Sequence, residues 1–289
     1  MLKIKNCSKS IQNFEILKEC NLELDSGKIM GLVGVNGAGK TTLLKCIAGI
    51  YDFEGSITLN DEIIYENEKV KSKVMYVQDS NIFPRDATIK SMVDLYSEFY
   101  DFNESLFRNY IHQFNLDENK KISSFSKGMQ RLTALCLAFA AGPELLLLDE
   151  AFDGLDPKSR LQIKRILIDE LDESNMSVLI SSHALRELED ICDDFAILDK
   201  HILSKGNVTD SIGNLNRVQV VYDKEIDVLN SLNDFEVVDY KQTGNVHVIV
   251  VRGNIEDIEV KLNENNPVFL EKLNVSFEEL FIFSNKEVE

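Results

Sequence analysis

The chain has 289 residues, enough for one large domain or two at about 150 residues each. Hydrophobic residues make up 44%, which suits a packed core and argues against bulk disorder, collagen or coiled coil. Against 49 Asp and Glu stand 31 Lys and Arg, a net charge of −18; such a surface repels phosphate backbones, so no nucleic-acid partner is expected.

The first sixty residues read as short strands. Asn21 to Leu24 alternates polar and apolar, Asp25-Ser26-Gly27 turns, and Ile29 to Val33 runs apolar like a strand buried on both faces. Gly34 to Gly39 is a glycine-rich break before the helical pattern Leu43, Leu44, Ile47 and Ala48, which Gly49 stops. Gly55 to Leu59 alternates again and ends in an Asn60-Asp61 turn, and Val74 to Val77 is a further strand. Ile89, Met92, Val93, Tyr96 and Phe99, then Phe107, Tyr110, Ile111 and Phe114, fall at helical spacing, so roughly 86 to 140 is a helical insertion. Strand and helix then alternate: Leu145 to Leu148, Ile163 to Leu171, Val178 to Ser181, a helix through Leu185, Leu188 and Ile191, and Phe195 to Leu198. That alternation predicts an α/β fold with a parallel sheet covered on both faces.

Turn formers cluster at Lys205-Gly206-Asn207 and Gly213-Asn214, which places a domain boundary near 205 to 216. The predicted domains are 1–209 and 210–289. The second reads as a small α+β domain: strand 218–221, helix 226–232, strands 236–240 and 246–251, helix 255–262, a further strand and a last helix from Ser276. It carries 16 acidic against 7 basic side chains, half of the net charge, and shows no catalytic constellation. His247, in an apolar run, reads as a satisfied sheet residue.

Five cysteines, at 7, 20, 46, 136 and 192, show no CxxC spacing and are expected as reduced thiols of a cytosolic protein. The N-terminus lacks the apolar core of a signal peptide. The most apolar stretch, Leu132 to Leu148, is interrupted by Gly142, Pro143 and Glu144 and is too broken to span a bilayer.

Two motifs carry chemistry. Gly34-Val35-Asn36-Gly37-Ala38-Gly39-Lys40-Thr41 fits GxxxxGK followed by Ser or Thr, after an apolar strand and before a helix, with Thr42 next. Glycines let backbone N–H groups curl around phosphate oxygens, the helix N-terminus adds a favourable dipole, and Lys40 neutralises the β- and γ-phosphates. Thr41 offers a hydroxyl to Mg²⁺. The strand Leu145 to Leu148 then delivers Asp149-Glu150 at its C-terminal end, where ligands of open α/β sheets bind. Asp149 is placed to hold Mg²⁺, and Glu150 to polarise an attacking water as general base.

With these motifs the chain, over residues 1 to about 210, resembles the ATP-binding subunits of bacterial ABC transporters. The resemblance implies the P-loop ABC ATPase fold, with a parallel core sheet, an N-terminal antiparallel β subdomain and a helical subdomain at about 86–140. It assigns Gln78 to the Q-loop, touching Mg²⁺ and the lytic water and sensing a membrane partner. Asp156, in Asp153-Gly154-Leu155-Asp156-Pro157, becomes the D-loop aspartate, and His183 the switch histidine on the γ-phosphate. The family signature LSGGQ stands here as Phe125-Ser126-Lys127-Gly128-Met129: Ser126 and Gly128 are kept, Lys127 and Met129 depart. Ser126 also suits a plain helix cap. The SKGM variant resembles that of bacterial exporters of peptides and antibiotics. For adenine stacking, alignment puts Ile11 at the family's aromatic position; Phe14 is the substitute, or a core residue.

In the family, the phosphate loop of one subunit faces the signature of another across ATP, so two ATPase subunits, identical or homologous, are expected. The expected role is an ATP-hydrolysing subunit, with ATP and Mg²⁺, that drives export through an integral membrane subunit. It would be cytoplasmic and peripheral at the membrane through that partner. The helical insertion, with Ile82, Phe83 and Pro84 after Gln78, is where the membrane subunit is expected, those three being interface or core. The alternatives are a soluble non-transport ABC ATPase and a non-hydrolysing ATP-binding switch.

Overall fold

The computed structural model describes residues 1–80, 83–183, 185–199, 202–206, 215–224, 226–273 and 275. The chain divides between Lys205 and Gly206 into two compact units. In the first, β1 (Leu2–Ile11) and β2 (Phe14–Leu24) form a hairpin, and β3 (Ile29–Val33) leads through the glycine loop into α1 (Lys40–Ile47). A second hairpin, β4 (Glu54–Leu59) and β5 (Glu62–Ile63), turns on Asn60 and Asp61, both left-handed as a tight hairpin turn requires. Next come α2 (Glu68–Lys71), β6 (Val74–Val77) and the helices α3 (Ile89–Phe99), α4 (Glu104–Gln113) and α5 (Lys127–Ala140). β7 (Leu145–Asp149), α6 (Pro157–Ser174), β8 (Ser177–Ser182), β9 (Asp194–Asp199) and β10 (Ile202–Gly206) follow.

Two sheets result. One is antiparallel, in the order β2-β1-β4-β5. The other runs β10-β9-β3-β8-β7-β6 and is parallel from β9 to β6. Every residue of β3, β7 and β8 is buried, as strands covered on both faces must be. One apolar core joins Leu2 and Ile4 of β1 to Leu43 and Leu44 of α1 and Leu145 and Leu179 of the parallel sheet. The architecture is the α/β P-loop fold expected from the sequence.

The first two strands are longer than the short segments read from the pattern, because bulges hide their alternation. Leu2 and Ile4 point inward, then Cys7 does, with Asn6 left-handed between them and the register shifted. Leu17 and Cys20 repeat the slip in β2 around left-handed Glu19. An extra residue per strand breaks the period of two while keeping the apolar face buried.

One further difference matters, and two open alternatives are narrowed. The expected helix through 185–191 is a single 3-10 turn at Leu185–Glu187. Its apolar spacing reflects buried Leu188 and Ile191, while Lys164 holds Asp190 at 2.6 Å and Arg160 pairs with Glu187. After Gln78, Phe83 is half-buried and Pro84 exposed, so neither is deep core; Ile82 lies outside the described residues. Phe14 is 72% exposed at the hairpin tip, not core.

The second unit holds β11 (Leu215–Val221), the single helical turn α7 (Val228–Ser231), β12 (Glu236–Thr243), β13 (Val246–Arg252), α8 (Ile255–Asn263) and β14 (Phe269–Leu273). Its antiparallel sheet runs β12-β13-β11-β14 over a core that includes Val218, Val220, Ile249, Val251, Ile258 and Leu262. The helix expected over 226–232 is shorter because Asp227 caps it and it closes at Leu232. His247 is a buried sheet residue whose Nδ1 lies 2.8 Å from the Tyr240 hydroxyl. The helix expected from Ser276 and most of the predicted boundary segment lie outside the described residues. No helix among the described residues is long and apolar enough to cross a membrane, and all five cysteines are free thiols.

Candidate active site

Four strands in the order β3-β8-β7-β6 end side by side, and each releases a residue singled out in the sequence. Gly34 follows β3, His183 follows β8, Glu150 follows β7 and Gln78 follows β6. Parallel pairing aligns the ends: Val33 with Ser182, Asp149 with Ser181, and Val77 with Leu148. A parallel sheet thus collects at one edge what the sequence spreads over more than a hundred positions.

The glycine loop is shaped by close approach. A Cβ on Gly34 would lie 2.4 Å from the carbonyl oxygen of Leu198, so only glycine fits there. Gly39, at φ +107°, caps α1 without a side chain, and a Cβ on it would reach the carbonyl of Ile16 at 3.0 Å. Val35, Asn36 and Gly37 form the exposed crest, and the N–H of Ala38 turns back to the carbonyl of Val35. No acidic residue occupies the first turn of α1, where Thr41 is exposed and Thr42 half-buried. The first backbone N–H groups of that helix are therefore open to an anion.

Lys40 is buried, with Nζ donating to the carbonyl of Gly34 at 2.7 Å and standing 3.5 Å from Glu150 Oε1. Oε2 of the same carboxylate lies 2.9 Å from His183 Nδ1 and 3.3 Å from the His183 N–H. That hydrogen bond holds the imidazole above its ordinary value of 6.5. Glu150 is thus in direct contact with both Lys40 and His183. Asp153 adds a second carboxylate beside Glu150 and His183, their donor atoms all within 4.8 Å.

Asp149 sits one residue behind, fully buried. Its Oδ1 accepts from Ser181 Oγ at 2.7 Å and its Oδ2 from the Tyr76 hydroxyl at 3.0 Å. Burial and this carboxylate push the Tyr76 phenol up, so it stays a donor. Each carboxylate oxygen keeps a lone pair, and the Thr41, Gln78 and Asp149 donor set is all oxygen, which suits Mg²⁺. Glu150 itself is left-handed at φ +48°, a conformation that costs a residue with a Cβ about 1–2 kcal/mol.

Of the remaining predicted residues, Gln78 stands at the adjacent β6 end and the others cap helices α5 and α6 or lie beside those caps. Gln78 joins through its carbonyl oxygen, which accepts from Arg131 Nη1 at 2.7 Å. Ser126 caps α5, accepting the Met129 N–H at 3.2 Å, and Lys127 is exposed beside it. Gly128 faces the carbonyl of Gly154, where a Cβ would sit at 3.0 Å. Asp156 caps α6, taking hydrogen bonds from the Ser159 hydroxyl and from the N–H groups of Ser159 and Lys158, which hold its carboxyl below the usual range. Sequence reasoning missed Tyr76, Ser181 and the contacts of Arg131. No local pattern announces them, since each meets partners 19 or more positions away.

The family model described as "ABC transporter" matches residues 17–153. The chain is 30% identical to the ABC transporter ATP-binding protein YtrB of Bacillus subtilis over 285 residues, 98% of this chain and 97% of that one. It is 26% identical to the methionine import ATP-binding protein MetN of Clostridioides difficile, over 91% of this chain and 86% of that one. To the lipopolysaccharide export system ATP-binding protein LptB of Escherichia coli it is 30% identical, over 72% of this chain and 91% of the relative. A solved ATP-binding subunit of an ABC transporter superposes with a TM-score of 0.69 at 26% identity, over 74% of this chain and 92% of its own.

Proposed function

The chain belongs to the ATP-binding proteins of ABC transporters, and on that premise we propose that it hydrolyses ATP to drive export through a membrane subunit. The observation that carries the reading is the contact of Lys40, Glu150 and His183 at the ends of adjacent parallel strands. The open N–H groups of α1 and the ammonium of Lys40 bind the β- and γ-phosphates. Phe14, exposed on the strand whose Ile16 carbonyl abuts Gly39, offers a ring to adenine; Ile11 is less exposed and has no ring. Thr41, Gln78 and Asp149 would hold Mg²⁺, which when bound would offset charge on the phosphates.

Glu150 takes the proton of the attacking water, and His183 contacts the γ-phosphate. The shared carboxylate has a direct consequence. A γ-phosphate offers a stronger anion to Lys40 and His183, and their transfer to it frees Glu150 to act as a base. Ser126, Lys127, Gly128 and Met129 serve the ATP of a second ATPase subunit, and Asp156 sits at that dimer face.

An apolar groove of about 820 Å³ in the first unit, lined by Ile50, Met75, Leu95, Tyr96, Phe99 and Tyr100, receives a helix of the membrane subunit. Ile50, Leu95 and Phe99 are exposed large hydrophobics there, as an interface without its partner presents. The SKGM-type signature and the appended second unit favour export, of peptides or antibiotics. The location that follows is cytoplasmic, at the inner face of the membrane.

Two measurements test this. Glu150→Gln is expected to lower ATP turnover by about 10²–10⁴-fold while retaining ATP binding; undiminished turnover overturns the assignment. The tagged chain is expected to co-purify with a polytopic membrane protein, and inside-out vesicles carrying both to accumulate labelled peptide with ATP. Accumulation only in right-side-out vesicles would mean import.

A further inference from the structure

Arg131 is 4% exposed, inside the helix that opens on Ser126, and its guanidinium reaches three acceptors on two other segments. Nη1 donates to the carbonyl of Gln78 at 2.7 Å. Nη2 donates to Asp79 Oδ1 at 3.1 Å and to the carbonyl of Glu150 at 3.3 Å. On the other side of the same residue, the Glu150 N–H donates to Ser181 Oγ at 3.0 Å. The peptide groups on both sides of left-handed Glu150 are therefore each gripped by a group from another element. A sparsely populated backbone conformation persists only where its surroundings over-determine it. Here they do, and the conformation decides where the carboxylate points: to Lys40 and His183 rather than to solvent.

We propose that Arg131 is a positioning residue that, with Ser181, fixes the left-handed backbone of Glu150 and so aims its carboxylate, and that it links this aim to the loop opening at Gln78. The inference rests on the reading of Glu150 as general base. A planar guanidinium suits the task because its fixed fork of donors meets three acceptors at once. A lysine ammonium at the same place is a point charge on a flexible stem and cannot hold all three.

The test compares Arg131→Met, Arg131→Lys and Glu150→Gln in the full chain, measuring kcat, nucleotide affinity with a fluorescent ATP analogue, and melting temperature. Arg131→Met is expected to lower kcat about 10- to 100-fold, the range that a misplacement of about 1 Å produces. Affinity is expected to stay within about twofold, because no phosphate contact is touched. Arg131→Lys is expected to lose less, again in kcat; should Arg131→Met not fold, this variant decides. Wild-type kcat in a folded Arg131 variant, with Glu150→Gln inactive, overturns this inference alone. Weakened affinity at unchanged kcat also overturns it. Wild-type turnover by Glu150→Gln overturns it together with the general-base reading.

Discussion

Oε2 of Glu150 lies 2.9 Å from Nδ1 of His183, and Oε1 of the same carboxylate lies 3.5 Å from the Lys40 ammonium. One anion is thus shared by two groups that the phosphates of a nucleotide would also attract. This contact binds the β3, β7 and β8 ends into one electrostatic unit.

Titration of His183 reads that contact directly. The hydrogen bond to Glu150 holds its imidazole above 6.5, so the charged form is favoured in the folded chain. A group raised on folding contributes stability below its unfolded pKa, and that contribution disappears as pH rises through the folded value. In Glu150→Gln the His183 midpoint is expected to fall toward the ordinary histidine range, measured by NMR on a chain with four histidines. An unshifted midpoint would mean that the pair does not persist in solution.

The phosphate loop makes a different demand, steric rather than electrostatic. Gly34→Ala places a Cβ against the Leu198 carbonyl, at 2.4 Å in the present backbone, so the loop must open to accept it. Lys40→Ala removes the buried ammonium while leaving the loop in place. Loss of a hydrogen bond to a charged group costs about 1.5–3 kcal/mol, which predicts roughly 10- to 150-fold weaker ATP binding for Lys40→Ala. Gly34→Ala is expected to weaken binding and also lower the melting temperature, since it strains the β3–β9 edge. Calorimetric titration with ATP and thermal unfolding separate the two effects.

These positions were legible because each is bound to its neighbours in sequence. A glycine run between an apolar strand and a helix, or an apolar strand ending in Asp149-Glu150, contains its own context. The long hairpin β1–β2 was not legible, because left-handed Asn6 and Glu19 shift its alternation midway. The 3-10 turn at Leu185–Glu187 mimicked a helix through Leu188 and Ile191, which are buried by position rather than by helical period. Arg131, Tyr76 and Ser181 could not be found at all from the sequence. Their partners lie on other strands or in the loops just after them, and only the sheet order brings them within hydrogen-bonding distance. Local propensity specifies elements, whereas the support of a site is set by which elements become neighbours.

The second unit carries its own pH response. His247 is buried against Tyr222 and Tyr240, with ring centroids 5.9 Å away in both cases, and burial lowers its pKa from 6.5. The ring nitrogen Nδ1 lies 2.8 Å from the Tyr240 hydroxyl, which itself donates to Gln242 Oε1 at 3.2 Å, and the dry surroundings of the ring disfavour its charged form. Because the unfolded chain binds this proton more readily, the stability it confers is present above about pH 6.5 and lost as pH falls below it. Melting temperatures across about pH 7.5 to 5.5 are expected to fall more for the wild type than for His247→Gln. Equal slopes would assign the acid sensitivity to other groups.

The groove beside α3 tests the membrane partner without touching the nucleotide site. Phe99 is 65% exposed on its wall, at the end of the helix that also carries Leu95 and Tyr96. Tyr96 packs on Tyr100 at 5.7 Å and on Phe102 at 6.2 Å, which holds the wall together from behind. An exposed ring of that size contributes little to folding, so Phe99→Asp is expected to change stability by no more than about 0.5 kcal/mol. At an interface the same change places a carboxylate in a desolvated apolar contact, and Lys71, which lines the groove, already donates to the carbonyl of Gly49 at 3.2 Å. Co-purification of the membrane subunit is therefore expected to be lost at unchanged melting temperature. Retention of that subunit by Phe99→Asp would move the docking surface elsewhere on the first unit, with the half-buried Phe83 and exposed Pro84 as the next positions to change.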